Sequence, residues 1–255
     1  MKPVCSICIT HFNDAPTIRQ SLDTILNQVD ERFEVVIADQ RSTDGSRSIL
    51  QEYEDKGRIR VIDMRTRNRG LGRQVAFEQS VGEYVIASIA LDFFYRPIFT
   101  KLLRAYQEIF EGKVVRWDML ELSRRDVLEK IGGWRDFQWG EDIEHWARAA
   151  KAGLFVVVPR PPVADWTKPF GRGRSQWGVA KYRYEMMRDL RRMGRHRWDK
   201  VTDSPHLAGK AAMFALMIAG TVGASFKKAY HDPWNNSFRL SDYDYEGELP
   251  TDLGL

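Results

Sequence analysis

Two cysteines, Cys5 and Cys8, are all that 255 residues carry, too few for a disulfide-stapled scaffold. Both lie in the alternating run Val4-Cys5-Ser6-Ile7-Cys8-Ile9, where residues three apart point to opposite faces of a strand. That pattern excludes a bridge between them and argues against a Cys-x-x-Cys redox or metal motif, which needs a turn or a helix start. It predicts two buried thiols in a reducing compartment. Long apolar runs are equally scarce. The longest, 211–226, falls short of the roughly 20 residues of a spanning helix and ends at Lys227 and Lys228, which predicts a core helix or one lying at a membrane surface. The N-terminus lacks the basic, apolar and small-residue regions of a secretory leader, so a cytoplasmic chain is expected. Charge of one sign is not in excess either: 39 Lys and Arg against 35 Asp and Glu leave +4, a bias toward phosphates, anionic lipid or nucleic acid that selects none of them.

What is present reads as a globular α/β chain. Hydrophobic residues at 43% exclude bulk disorder, and strand and helix signals alternate along the first half. Strands are predicted over 4–10, 33–38, 59–63 and 84–89, with helices over 13–28, 46–55 and 72–81, a turn over 92–97 and a helix running to 110. Such βαβ order predicts a mostly parallel sheet flanked by helices, with ligands bound beyond the carboxyl ends of its strands. Further on, a strand over 119–122, a helix over 124–131 and a helix over 141–152 closed by Gly153 are expected. At 159 the composition shifts. Pro161, Pro162, Gly171, Gly173 and Gly178 stand among Arg172, Arg174 and Trp177, the composition of a mobile basic loop. A helix over 179–193 with Lys181, Arg183, Arg188, Arg191 and Arg192 follows, then the apolar helix, and last an acidic, loosely held tail over 241–255. No internal repeat is visible.

Several stretches carry a resemblance to a known family. Val4 to Asn13, with Thr10-His11-Phe12-Asn13 at its end, looks like the first strand and turn of the family 2 inverting glycosyltransferases. Glu34-Val35-Val36-Ile37-Ala38-Asp39-Gln40-Arg41-Ser42-Thr43-Asp44-Gly45-Ser46 is similar to that family's second strand and its Asp-Asp-Gly-Ser loop. Asn68 to Gln74 ahead of Gly82-Glu83-Tyr84 resembles its Ala-Arg-Asn helix and Gly-Glu-Tyr strand. Gly132 to Ala149, with Trp139-Gly140-Glu141-Asp142 at the centre, is similar to its Gly-Gly-Phe…Trp-Gly-Glu-Asp segment. One motif departs: where relatives show Asp-x-Asp, this chain has Ala90-Leu91-Asp92, so the first acid is missing.

The resemblance implies a GT-A (Rossmann-like) catalytic domain over 1–165, with a nucleotide-binding half over 1–97 and an acceptor half over 98–165. A basic loop and helical extension over 166–240 would follow. It implies a nucleotide-sugar donor, a glycan or lipid-linked acceptor and an inverting transfer. Asp39, Thr10, Phe12 and Arg73 would hold the donor nucleotide; Arg73 is otherwise one more solvated arginine beside Arg65, Arg67 and Arg69. Asn13 and Asp44 are equally helix caps. A carboxylate beside phosphates makes sense chiefly if it holds a hard cation, so Asp92 is the expected ligand of Mn²⁺ or Mg²⁺, with Asp165 as a third ligand; a plain turn residue is the alternative for Asp92. Asp142 is the implied base, its carboxyl raised by Glu141 beside it, although both acids also suit a helix first turn. Trp139 would stack on the acceptor or else pack in the core, where Trp134 belongs. Arg172 and Arg174 would close over the diphosphate, or are plain surface arginines. The basic helix would meet an anionic membrane at its inner face, unless it packs on the core through Tyr182, Met186 and Leu190. Two rivals remain: a degenerate nucleotide-sugar-binding relative, suggested by Ala90, and a nucleic-acid binder, for which the chain has no recognisable module.

Overall fold

The computed structural model describes residues 2–158, 163–166, 176–194, 207–230, 238–247 and 249. Strand and helix alternate through β1 (Cys5–His11), α1 (Ile18–Leu26), β2 (Phe33–Asp39), α2 (Ser46–Asp55), β3 (Arg60–Asp63), α3 (Arg69–Gln79) and β4 (Tyr84–Ile89). Next come the short β5 (Phe93–Tyr95) and α4 (Phe99–Ala105), which runs on into a π turn over Tyr106–Phe110. The hairpin β6 (Val114–Trp117) and β7 (Leu120–Arg124) leads to α5 (Arg125–Ile131), α6 (Glu141–Lys151), β8 (Phe155–Val158) and β9 (Ala164–Trp166). Two longer helices, α7 (Gln176–Arg192) and α8 (Leu207–Ser225), precede a 3-10 turn at Leu240–Tyr243.

Seven strands form one sheet in the order β3-β2-β1-β4-β7-β6-β8, and β5 pairs with β9 in a separate two-stranded sheet. The first four strands are parallel; β7 is antiparallel to both β4 and β6, and β8 runs parallel to β6. From β1 the chain builds outward to β3, then returns to place β4 on the other side. The carboxyl ends of β1, β2 and β4 therefore open a crevice at the point where strand order reverses. Register runs from Cys5 opposite Phe33 to His11 opposite Asp39, which sets the last residues of β1 and β2 side by side. In β4 the register slips by one between its pairings with Ile7 and Ile9, and Ser88 within the slip takes φ +64°.

Strand alternation fixes the two core layers. Cys5, Ile7 and Ile9 face α1, α2 and α4 and pack with Leu22, Leu50 and Phe99, whereas Cys8 faces α3 and α5 and packs with Phe77, Leu128 and Trp134. Both thiols are free and buried on opposite faces, as alternation predicts. Burial pushes the Cys8 thiol up to about 12 and raises Cys5 as well.

Three expectations change. The first helix starts at Ile18 rather than at Asn13, because Asn13 takes φ +58° and its Oδ1 accepts from Thr43 N at 2.8 Å instead of capping. Gly45 and not Asp44 is the N-cap of α2; Asp44, one residue earlier, accepts Ser46 N at 3.0 Å, and its other oxygen accepts Ala15 N at 2.8 Å. The sequence does not announce the short strands β5, β6, β8 and β9, and β5 occupies most of the turn expected over 92–97; segments of three or four residues carry no periodicity. Finally, the described part of the tail expected to be loose, residues 241–247, packs down together with Phe238 ahead of it. Tyr245 N donates to Val157 O at 2.7 Å, the Tyr245 ring meets Phe110 at 4.9 Å, and Phe238 is buried against Phe155.

Candidate active site

The loops after β1 and β2 are sewn together across the crevice. Asp39 is 2% exposed and accepts from Ser42 N at 3.1 Å and Ser42 Oγ at 2.6 Å, while Asn13 N donates to Ser42 Oγ at 3.0 Å. Gln40 Nε2 donates to Thr10 Oγ1 at 2.5 Å. Helix α3 reaches this pair only because residue 72 is glycine, since a Cβ there would lie 2.1 Å from Thr10 Oγ1. The Phe12 ring carries the Arg67 guanidinium 4.0 Å from its centroid. His11, buried between the strands, has both ring nitrogens without a hydrogen-bond partner and lies 3.5 Å from Asp14 and 3.8 Å from Asp39. Thr10, Phe12 and Asp39 thus do share one wall of the crevice.

On the opposite wall, α6 is anchored by a buried polar network. Glu121 of β7 accepts from Trp146 Nε1 at 2.7 Å and lies 3.0 Å from His145 Nε2, while His145 Nδ1 faces Gly133 O at 3.0 Å. Trp134, core as expected, stacks on the His145 ring at 4.5 Å. Gly140 takes φ +68° just before the helix, a left-handed turn that a β-carbon would strain.

The two acids that open α6 have different environments. Glu141 is 1% exposed, with Arg73 Nη2 at 3.0 Å and Arg69 Nε at 3.8 Å from its Oε1. Burial pushes its carboxyl up; Arg73 and then Arg69 oppose this, and the charge of Asp142 adds to it. Sealed in this way, Glu141 does not meet an acceptor, which corrects its expected place beside Asp142 as a catalytic group. Arg73 also differs from expectation. It is buried, donates to Ser88 Oγ at 2.8 Å and turns to Glu141 instead of standing open to a nucleotide. Asp142 is half-buried, and its Oδ1 accepts Ile143 N at 2.8 Å in the helix first turn.

Arg69, passed over in the sequence as a solvated arginine, proves central. Its guanidinium is held above the usual range by Glu141 first, against burial, and then by Asp142, Tyr182 and Asp92. The carboxylates of Asp142, at the start of α6, and Asp92, in the turn between β4 and β5, add to the charge acting on that guanidinium, whose ion-pair partner is Glu141. The turn bearing Asp92 is pinned on both sides: Tyr95 Oη bonds Ala90 N and Ala90 O at 2.9 Å, and Thr17 Oγ1 donates to Leu91 O at 3.0 Å.

Other expected members of the site lie elsewhere. Asp165 is exposed and paired with Arg96 at 2.9 Å, and that guanidinium holds its carboxyl below the usual range. Among the described residues no three of His, Cys, Asp and Glu gather as metal ligands, so Asp165 as a third ligand is not supported. Trp139 donates from Nε1 to Tyr182 Oη at 2.8 Å and packs with Met186, Met187 and Leu190 of α7, a packing role in place of an open stacking platform. Arg172 and Arg174 lie outside the described residues.

Residues 6–130 match the sequence profile described as Glycosyl transferase family 2. Among curated relatives, a protein of Bacillus subtilis (strain 168) named as the teichuronic acid biosynthesis glycosyltransferase TuaG is 34% identical over 86 residues, 33% of this chain and 34% of its own length. The chain thus matches about a third of that relative. Solved structures of similar fold include the mannosyltransferase PcManGT of Pyrobaculum calidifontis with GDP-Man and Mn²⁺ (TM-score 0.60, 19% identity, 88% of this chain and 74% of that one). Another is TarS 1–349 of S. aureus with UDP-GlcNAc (TM-score 0.59, 18% identity, 89% and 74%). At such identity the structures speak for the fold alone, which is the α/β GT-A arrangement. Through residues 6–130, this chain belongs to glycosyl transferase family 2.

Proposed function

We propose that the domain transfers a sugar from a nucleoside-diphosphate sugar to an acceptor hydroxyl with inversion, using Asp142 as base. The observation that carries this reading is the start of α6, where Arg73 and Arg69 take up the buried Glu141 at 3.0 and 3.8 Å and leave the next acid, Asp142, half-buried beside them. In the proposed step Asp142 takes the proton of the acceptor hydroxyl and the freed oxygen bonds to the anomeric carbon. The bond from that carbon to the diphosphate oxygen breaks, its electron pair leaves with the diphosphate, and one displacement inverts the centre. Thr10, Phe12 and Asp39 would hold the nucleotide, and Arg69 would add fixed positive charge where the diphosphate departs. Glu141, paired with Arg73, sets the electrostatic floor of the site without touching substrate. A glycan or lipid-linked sugar suits the acceptor side.

Asp92 is a hard oxygen donor at this crevice, which fits Mn²⁺ or Mg²⁺ held by one carboxylate together with donor phosphates. When bound, such a cation would neutralise the departing diphosphate. Support comes from PcManGT, whose structure holds GDP-Man and Mn²⁺. With Ala90 in place of a second acid, the donor phosphates would have to supply most of the ligands. A thermal-shift panel of UDP-, GDP- and dTDP-sugars with and without Mn²⁺ or Mg²⁺ tests this. Ligand at about 100 times Kd stabilises the fold by about 2.7 kcal/mol. We expect one nucleotide class to respond, with a cation-dependent increment that Asp92→Asn removes. Silence across the whole panel would overturn the donor reading, and donor binding without any transfer would favour the degenerate relative.

A membrane-surface role has its own support in α8. Gly220 and Gly223 press that helix onto α7, where a Cβ at Gly223 would lie 2.2 Å from Tyr184 Oη. Ile218, Val222 and Phe226, spaced by four on the outward side, are 50%, 55% and 85% exposed, and Lys227 and Lys228 follow them. The basic cluster expected on α7 is smaller than the sequence suggests, because Arg188 pairs with Asp189 and Arg192 is buried. Among the described residues no helix is long and apolar enough to cross a membrane. Vesicles of phosphatidylglycerol should therefore sediment the protein and phosphatidylcholine vesicles should not, each exposed lysine adding about 1 kcal/mol. Equal retention on both, or none on either, would reject an anionic lipid surface.

A further inference from the structure

The four residues that lead into the active-site acid are held by a helix outside the matched family region. Residues 136–139 run from the core toward Gly140 without a partner strand, and two buried side chains of α7 take them. Asp189 Oδ2 accepts Gln138 N at 2.8 Å and Trp139 N at 3.1 Å. Arg192, 1% exposed, donates from Nη1 to Asp136 O at 2.8 Å and from Nη2 to Asp136 Oδ1 at 2.5 Å, and lies 4.5 Å over the Phe137 ring. The two holders are themselves joined, Arg192 Nη1 to Asp189 Oδ1 at 3.3 Å, and Arg188 closes on both Asp189 oxygens at 2.8 and 2.9 Å.

The other edge of the same four residues plugs the start of α3. Gly70 N donates to Phe137 O at 2.9 Å and Arg69 N to Gln138 Oε1 at 3.1 Å. One short loop thus fixes both Asp142, three residues on from Trp139, and Arg69, whose guanidinium lies 3.8 Å from the neighbouring Glu141. A displacement of the loop moves acid and cation together.

We infer that Asp189 and Arg192 are positioning residues for the transfer step, which makes α7 part of the acceptor half and not an appendage. The inference rests on the reading of Asp142 as base. A buried ion pair gives little net stability compared with apolar packing of the same volume, because both ions lose their hydration. Met186, Met187 and Leu190 already supply such packing on the same helix. What the charged pair adds is direction: its hydrogen bonds go to the backbone of residues 136, 138 and 139, at fixed angles that apolar contacts do not impose.

The test compares Asp189→Asn, Arg192→Lys, Asp142→Asn and the double variant Asp142→Asn/Asp189→Asn in the full chain. Transfer is measured from the donor selected among UDP-GlcNAc, UDP-glucose and GDP-mannose to an octyl glycoside, beside donor affinity by thermal shift. A misplacement of about 1 Å at a reacting group lowers the rate by about 100-fold. We expect Asp189→Asn to lower kcat about 10- to 100-fold with donor affinity within about twofold, and Arg192→Lys to fall between it and the parent. In the Asp142→Asn background, Asp189→Asn should change residual transfer by less than about threefold, since residues acting as a unit are not additive. A kcat for Asp189→Asn within threefold of the parent overturns the inference, as does a parallel loss of donor affinity, or a full further drop in the double variant. Should Asp142→Asn retain transfer, the base reading fails instead. If Asp189→Asn does not fold, Arg192→Lys decides by the same kcat and donor-affinity criteria.

Discussion

Asp142→Asn should lower transfer by about 100- to 10,000-fold, the range a positioned general base contributes, while nucleotide-dependent stabilisation stays nearly that of the parent. The substitution keeps the shape of the side chain, and the amide oxygen can still accept Ile143 N, the bond Asp142 Oδ1 makes at 2.8 Å. What is lost is a site for the acceptor's proton. The proposed donor contacts are Thr10, Phe12 and Asp39, at the ends of β1 and β2 and away from α6, so binding and chemistry should separate. Single-turnover transfer beside a thermal shift with the same donor reads both. Near-parent transfer would remove Asp142 as base, and Glu141 could not replace it, because its oxygens are buried behind Arg73 and Arg69.

Arg73→Met should be the most damaging single change for stability, about 3 to 5 kcal/mol, because it leaves Glu141 buried without its nearest cation. Glu141→Gln should cost much less and should rescue part of the loss when combined with Arg73→Met. The pH dependence follows from the direction of the Glu141 shift. Its carboxyl is raised in the folded state by burial, so the folded chain holds the proton more tightly than the unfolded one. This group's contribution is then most favourable below the ordinary glutamate value of about 4.3 and falls away as pH rises through the folded value. Removing Arg73 takes away an opposing positive charge and should carry that decline to higher pH. Glu141→Gln should flatten it. Urea unfolding between about pH 4 and pH 8 measures the slope; a Glu141→Gln slope equal to that of the parent would show that Glu141 does not titrate in this way.

The parallel half of the fold was legible because its strands are long and apolar and its helices amphipathic. Cys5 to His11 and Phe33 to Asp39 announce inner strands, and the loop residues that follow them carry the family likeness. Residues 114–117 and 155–158 were not legible as strands, since four buried residues fit a helix turn as well. The site was half legible. Asp39 ends β2, Asp92 lies in the turn between β4 and β5, and Asp142 stands in the first turn of α6. The fate of the arginines was not legible, because a sequence does not say which guanidinium is buried. Arg73 and Arg192 pair inward while Arg69 reaches Glu141 from an exposed position, and all three read alike as members of basic runs. Asp189 was hidden for the same reason: a lone acid among Arg188, Arg191 and Arg192 looks like a solvated helix face until its backbone partners 50 residues upstream are known.

The return of the chain at Phe238 to Tyr245 has a consequence for self-association. Strand β8 is the outer strand of the large sheet, and its free side would present unpaired backbone groups of a flat Phe-Val-Val-Val segment, the kind of edge on which a second sheet can template. Tyr245 N on Val157 O, with the Tyr243 and Phe238 rings laid on Phe155, closes that side. The acidic residues around these aromatics, Asp242, Asp244 and Glu246, put like charge where another copy would approach. The segment that looked like a solvated tail thus acts as a guard against edge-to-edge stacking, and a chain cut before Phe238 would be expected to aggregate through Phe155–Val158 before it lost its fold.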